Sequence, residues 1–262
     1  MTSEQVGTLL RDWRTRRRLS QLDLASDAGI SSRHLSFVET GRSRPSREMV
    51  LHLADHLDVP LRARNSLLIA AGYAPTYHAT DLDAPELQSV RIAIERVLVG
   101  HEPYPAILVD RRWELVAANR AVAVLIDGVA PELLEPPVNV LRASLHPNGL
   151  AQRIVNLAEW AENIIGGLRR QIAVTGDEDL RALEIELSEY AAAQGAAPPP
   201  PSEAPGVIAI PLRLRADEGE LAFITTIATF GTALDVTLAE LAIEAFLPAD
   251  AGTATALFAA YG

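Results

Sequence analysis

Residues 20–41 read SQLDLASDAGISSRHLSFVETG, and the spacing within them decides the fold of the first part of the chain. Gln21 opens a short helix in which Leu24 and Ala28 face inward, and Ala25 sits where a second helix crosses too closely for a larger side chain. Gly29 follows, where a helix commonly ends in the left-handed conformation that glycine adopts without a β-carbon penalty. Ser31 or Ser32 offers a hydroxyl to cap a new helix, and Leu35 and Val38 return at helical spacing toward the first. This is the pattern of a helix-turn-helix, whose second helix lies in a DNA groove. A plain two-helix hairpin shares the apolar positions and the turn glycine, but not the full arrangement.

The flanks extend the pattern. Val6, Leu9, Leu10 and Trp13 fall at i, i+3, i+4 and i+7, one apolar stripe of an amphipathic helix. After the motif, the basic loop Gly41-Arg42-Ser43-Arg44-Pro45-Ser46 leads to a helix that Ser46 can cap, with Val50, Leu53, Ala54 and Leu57 inward and Pro60 as its end. A fifth helix over about 61–71, stopped by Gly72, completes a five-helix DNA-binding unit over residues 1–75.

The stretch RLSQLDLASDAGISSRHLSFVETGRSRPS, residues 18–46, resembles the lambda-repressor and Cro-like family of helix-turn-helix domains, also called the xenobiotic-response-element family. In that family an arginine of the first helix pairs with a glutamate near the end of the recognition helix. Arg14 and Glu39 occupy the matching positions, and the resemblance implies a structural pair.

A chain of 262 residues is too long for one such head and predicts a second domain with its own core. There is no cysteine, which excludes a disulfide frame, a thiolate metal site and a cysteine nucleophile. No signal-like N-terminus and no membrane-length apolar run is present, so a soluble, cytoplasmic protein without membrane association is expected. Charge is uneven: residues 1–65 hold 11 arginines against 8 acidic residues, and the remainder 12 against 26, giving the net −11. A basic head on an acidic body binds phosphate with one end only.

Residues 76–83 are polar and aperiodic, and the second domain is placed at 84–262. Pro85 can start a helix carrying Leu87, Val90, Ile94, Val97 and Leu98 to a stop at Gly100. Residues 106–110 and 114–118 read as a hairpin, a short helix runs from Asn119 through Ile126, and helices occupy roughly 139–194. The proline-rich residues 197–205 read as an exposed loop. Three strands then follow, on Ile208, Ile210, Leu212 and Leu214, on Leu221, Phe223, Thr225 and Ile227, and on Leu241, Ile243, Ala245 and Leu247. Two strands, helices and three strands are the order of a PAS-like domain, a five-stranded antiparallel sheet with helices over one face. The expected fold class is therefore multidomain, α followed by α+β.

The segments HEPYPAILVDRRWELVAAN (101–119), NVLRASLHPNGL (139–150) and TALDVTLAELAIEAFLPAD (232–250) resemble the ligand-binding domain of the MmyB-like regulator family. The resemblance implies a bacterial transcription regulator whose second domain accepts an apolar small molecule, with fatty acids the associated ligand class. The residues themselves establish an apolar sheet face that is either solid core or a pocket wall.

For DNA, the exposed face of the recognition helix offers Ser32, Arg33, His34, Ser36 and Phe37. Arg33 can hold guanine O6 and N7 together, and Phe37 either touches a thymine methyl or packs within the head. Gln21, Arg42, Ser43 and Arg44 are placed to grip phosphate without reading sequence. For ligand, Tyr104, Trp113, His146, Leu157, Trp160 and Phe223 are pocket walls or core, and Arg142 is a charge partner for a carboxylate head group or a fastening of its own helix. His52 and His56, at i and i+4, are read as a solvent-facing edge rather than a metal site. No GxSxG, P-loop, GxGxxG or HExxH occurs, so no catalytic residue, cofactor or enzyme activity is expected.

The reading is a homodimeric regulator on a palindromic operator in double-stranded DNA, controlled by an apolar molecule such as a fatty acid. The alternative is a non-sensing repressor or antitoxin-like protein whose second domain serves only dimerisation or a partner.

Overall fold

The computed structural model describes residues 3–196, 210–217 and 219–262. The chain divides into two compact units. The first comprises residues up to Asp81 with 173–176 and 232–239, and the second comprises 82–172, 177–231 and 240–262.

Five helices carry the first unit: α1 (Ser3–Arg16), α2 (Gln21–Asp27), α3 (Ser32–Glu39), α4 (Arg47–His56) and α5 (Leu61–Ala70). Helices α2, α3 and α4 each begin on a serine, while α5 follows Pro60. Ser20, Ser31 and Ser46 accept from the backbone N–H of Asp23, His34 and Met49, answering donors that a helix start leaves unpaired. Between α2 and α3, Gly29 has φ +62°, the N–H of Ile30 bonds the Ala25 carbonyl at 2.9 Å, and that of Gly29 bonds Ser26 at 3.1 Å. This double closure is the Schellman stop, and it needs a left-handed residue at Gly29. Val6, Leu10, Leu24, Leu35, Val38, Leu53 and Leu68 form the core, none more than 1% exposed. A β-carbon on Gly7 would lie 2.4 Å from the Val38 carbonyl oxygen, so α1 crosses the end of α3 by bare backbone.

In the second unit, α6 (Gln88–Gly100) leads to strands β1 (Ala106–Val109) and β2 (Leu115–Ala118). Helices α7 (Ala123–Ile126), α8 (Val140–Leu145), α9 (Leu157–Thr175) and α10 (Glu178–Ala193) follow, then β3 (Leu212–Ala216) and β4 (Gly219–Thr229). After the short α11 (Val236–Ala239), which groups with the first unit, come β5 (Ala242–Pro248) and α12 (Ala251–Tyr261). The strands form one antiparallel sheet in the order β2-β1-β5-β4-β3, as the five-strand reading expects. The chain's last strand is thus the central one.

Three sequence expectations change. Ile210 precedes β3 rather than joining it, while Ile208 and the proline-rich 197–205 lie outside the described residues. Helix α12 was not anticipated, because its residues are apolar or small all round and leave no polar face to generate a period. Asp250 caps it by accepting from the Thr253 N–H at 2.7 Å. Because α12 lies against β4 and β5 and α6 against β1, β5 is buried on both faces rather than alternating.

Candidate functional site

The first unit presents a basic surface on α3 and the loop after it. Leu35, Val38 and Glu39 point inward, leaving Ser32 and Arg33 exposed and His34, Ser36 and Phe37 half-buried. The Arg33 guanidinium lies 5.3 Å from the Phe37 ring centroid and that of Arg42 5.9 Å, so one ring braces two cations on one surface. The Ser43 N–H bonds the Phe37 carbonyl at 3.0 Å, holding the loop against the helix.

Two residues expected to grip phosphate make contacts within the fold. Gln21 donates its amide to the Glu39 carboxylate at 2.7 Å. Arg44 donates to the Ala71 carbonyl at 2.9 Å, at the end of α5, and lies over Tyr73. A helix leaves its last carbonyls unpaired, and this arginine answers one of them.

Glu39 is the buried keystone behind the surface. Arg14 holds it with two bonds, Nε to Oε1 at 2.7 Å and Nη2 to Oε2 at 2.9 Å, as the family resemblance implies. Burial pushes the carboxyl pKa up, but the hydrogen bonds from Arg14 and Gln21 and the charges of Arg14 and Arg11 outweigh it and hold Glu39 below the usual range. His52 contacts the Ala28 carbonyl at 2.7 Å and stacks edge-on with His56, and among the described residues no group of three potential ligands could hold a metal.

The second unit holds an open-sided cavity of about 830 Å³. Its floor is the sheet, through Ile107, Ala118, Leu212, Thr225, Ile227, Glu244 and Phe246. Its walls are α8 and α9, through Val140, Leu141, Ser144, Trp160, Ile164 and Leu168, and the 122–138 region, through Val122, Leu125, Val129 and Leu134. The lining is chiefly aliphatic and aromatic, and the volume lies within the roughly 300–1,000 Å³ of small-molecule sites. Gly167 of α9 borders it, and a β-carbon there would meet only the tip of Arg170.

Of the residues expected to contact a ligand, Trp113 and Trp160 line this cavity together. Trp160 donates its indole N–H to Ser144 at 3.1 Å, and Trp113 donates to Gln171 at 3.0 Å. Trp113 has φ +64°, a conformation that costs a non-glycine residue about 1–3 kcal/mol. The Asp110 carboxylate fixes this turn by accepting from the backbone of Arg112 and Glu114.

The other five are placed elsewhere. Phe223 is fully buried edge-on to Phe246, Tyr104 packs on Phe258, and Leu157 packs against the core at the start of α9. Arg142 is taken by Glu186, with bonds of 2.6 and 2.8 Å, and Tyr190 donates to the same carboxylate. His146 stacks on Tyr190 and accepts from the Asn148 N–H.

Three charged residues line the cavity outside the expected contacts, Arg120, Arg170 and Glu244, and Arg120 is engaged by the Glu102 carboxylate and the Tyr261 carbonyl. Arg170, exposed on α9, has no hydrogen-bond or ion-pair partner among the described residues. Glu244 of β5 is 9% exposed, and burial pushes its carboxyl up to about 7. Alternation had assigned it the polar side of a strand whose apolar side was Ile243 and Ala245. The cavity instead meets the Glu244 and Phe246 side. The glycine pair Gly166-Gly167, unusual inside a helix, was a legible sign of space beside α9.

A five-helix unit with a basic recognition surface, followed by a sheet domain holding an apolar cavity, defines a DNA-binding protein with a small-molecule site. The family model described as the MmyB-like transcription regulator ligand binding domain matches residues 90–259, and one described as a helix-turn-helix domain matches residues 5–67. The chain belongs to the MmyB-like family and is a DNA-binding transcription regulator with a ligand-binding domain. Among solved structures, the clp gene regulator ClgR from Corynebacterium glutamicum is similar at 24% identity, over 39% of this chain and 96% of that one, with a TM-score of 0.25. No curated protein matches the chain. Among the described residues, no helix is long and apolar enough to cross a membrane.

Proposed function

We propose that this regulator binds a palindromic operator as a homodimer and changes its DNA affinity when an apolar molecule of the fatty-acid class occupies a PAS-like second domain. The observation that carries the reading is the cavity of about 830 Å³ with its apolar lining, in the part of the chain matched by the ligand-binding family. A cavity that size forfeits packing contacts on every wall, a cost that makes sense where a ligand restores them. The exposed guanidinium of Arg170 offers a carboxylate head group a charge-assisted partner at the cavity border.

On DNA, Arg33 reads a base edge, Ser32, His34, Ser36 and Phe37 complete the recognition face, and Arg42 and Ser43 hold phosphate. Dimerisation follows from the small surface that one head can bury: two heads a helical turn apart multiply affinity and impose symmetry on the site. The test is an operator selected from random duplexes, then titrated with full-length protein with and without added decanoic acid. A shift of roughly tenfold or more in affinity, worth about 1.4 kcal/mol, is expected. An affinity that stays constant as the acid saturates the protein would overturn the sensing role.

A further inference from the structure

The floor of the cavity holds a buried carboxyl, Glu244, that is unpaired among the described residues. Glu244 lies at the centre of a cross-strand row, with Cα partners Ile107 on β1 and Ile227 on β4, and Ile107 in turn pairs with Ala118 on β2. All four residues line the cavity. Leucine or isoleucine at the centre would complete an apolar row, yet the position is a glutamate.

It has no hydrogen-bond or ion-pair partner among the described residues. The other buried polar side chains of the unit differ. Asn119 donates to the Leu98 and Tyr104 carbonyls and accepts from Ala106, Asn139 caps α8, and Thr253 accepts from the Ala222 N–H. Burying a carboxyl without a partner is costly, and proteins ordinarily satisfy or replace such a group. Here the unpaired group faces a space large enough for a ligand to satisfy it.

We propose that Glu244 is the recognition carboxyl of the cavity, and that the ligand is an apolar molecule bearing a hydrogen-bond donor, hydroxyl or ammonium, that sits against it. This rests on the cavity being the ligand site. A plain saturated fatty acid whose head group pairs with Arg170 brings no donor to Glu244. A hydroxylated chain or an aliphatic amine satisfies it, the hydroxyl donating to either form of the carboxyl and the ammonium pairing with the ionised one. With its pKa raised to about 7, both forms are within reach near neutrality.

The test is calorimetric titration of the full-length protein with decanoic acid, with monohydroxydecanoic acids differing in hydroxyl position, and with decylamine. Wild type, Glu244→Gln and Glu244→Leu are compared, with thermal unfolding confirming that each is folded. At least one donor-bearing probe should bind wild type roughly tenfold tighter than decanoic acid, as one buried hydrogen bond allows. Glu244→Leu should erase that preference and bind decanoic acid more tightly than wild type does. Glu244→Gln separates the two donors, keeping a hydroxyl preference and losing an ammonium one. Decanoic acid binding wild type as tightly as every donor-bearing probe, or a preference that survives in Glu244→Leu, overturns the proposal. Should no probe bind any form, the reading of the cavity as a ligand site fails, and the proposal with it.

Discussion

The two units each bury a glutamate, and the fold treats them in opposite ways. Glu39 is wrapped by Arg14, Gln21 and Arg11, and its pKa is held low. Glu244 is buried with no hydrogen-bond or ion-pair partner among the described residues, and its pKa is raised. The first is a finished structural element, placed so that the recognition helix has one position. The second is unsatisfied, the state that the proposed ligand would complete.

The largest expected effect breaks the finished side of this contrast. Glu39→Ala leaves the Arg14 guanidinium half-buried without its carboxylate, and should cost about 3 kcal/mol or more in urea unfolding. A loss below about 1 kcal/mol would mean that the pair is no better than a surface ion pair. The unfinished side should respond in reverse. The raised folded-state pKa of Glu244 means ionisation disfavours the fold, so the penalty is absent below the unfolded value near 4.5, grows through the interval, and is complete above about 7. Glu244→Gln should therefore stabilise the ligand-free protein more at about pH 8 than at about pH 5, by roughly 2–3 kcal/mol. Equal effects at both pH values would show that the carboxyl is already paired.

Smaller effects sharpen the contrast between reading and gripping. Arg33→Ala should relax preference at one operator position by roughly 1–3 kcal/mol, while Arg42→Ala weakens all sequences alike and flattens the salt dependence. Uniform losses in both would mean that α3 is oriented differently on DNA. Smallest is Gly167→Ala, whose new β-carbon meets only the Arg170 tip, and which should raise thermal stability by about 0.5–1 kcal/mol through helix propensity. A destabilised variant would show that this cavity border is tightly packed after all.

The first unit was legible because its determinants are local. The serine caps, Gly29 and the inward positions Leu24, Leu35 and Val38 all lie within a few residues of what they control. The approach of Gly7 to Val38 was not, since it depends on how two helices cross. In the second unit the order of strands and helices was legible, and so were Trp113 and Trp160 as bulky residues able to wall a pocket. Arg142 was chosen for its charge, but a glutamate 44 residues later takes it, a pairing no local spacing reveals. Glu244 was hidden because alternation assumes one wet face, and a strand central in its sheet between packed layers has none.

The most direct measurement of the account is native mass spectrometry of the purified full-length protein before and after organic extraction. An apolar cavity of this size should carry a small molecule through purification, so the intact protein should show an added mass that extraction removes and that is recovered in the organic phase. Identical masses before and after, with no amphiphile in the extract and none taken up on addition, would contradict it and return the second unit to a dimerisation or partner module.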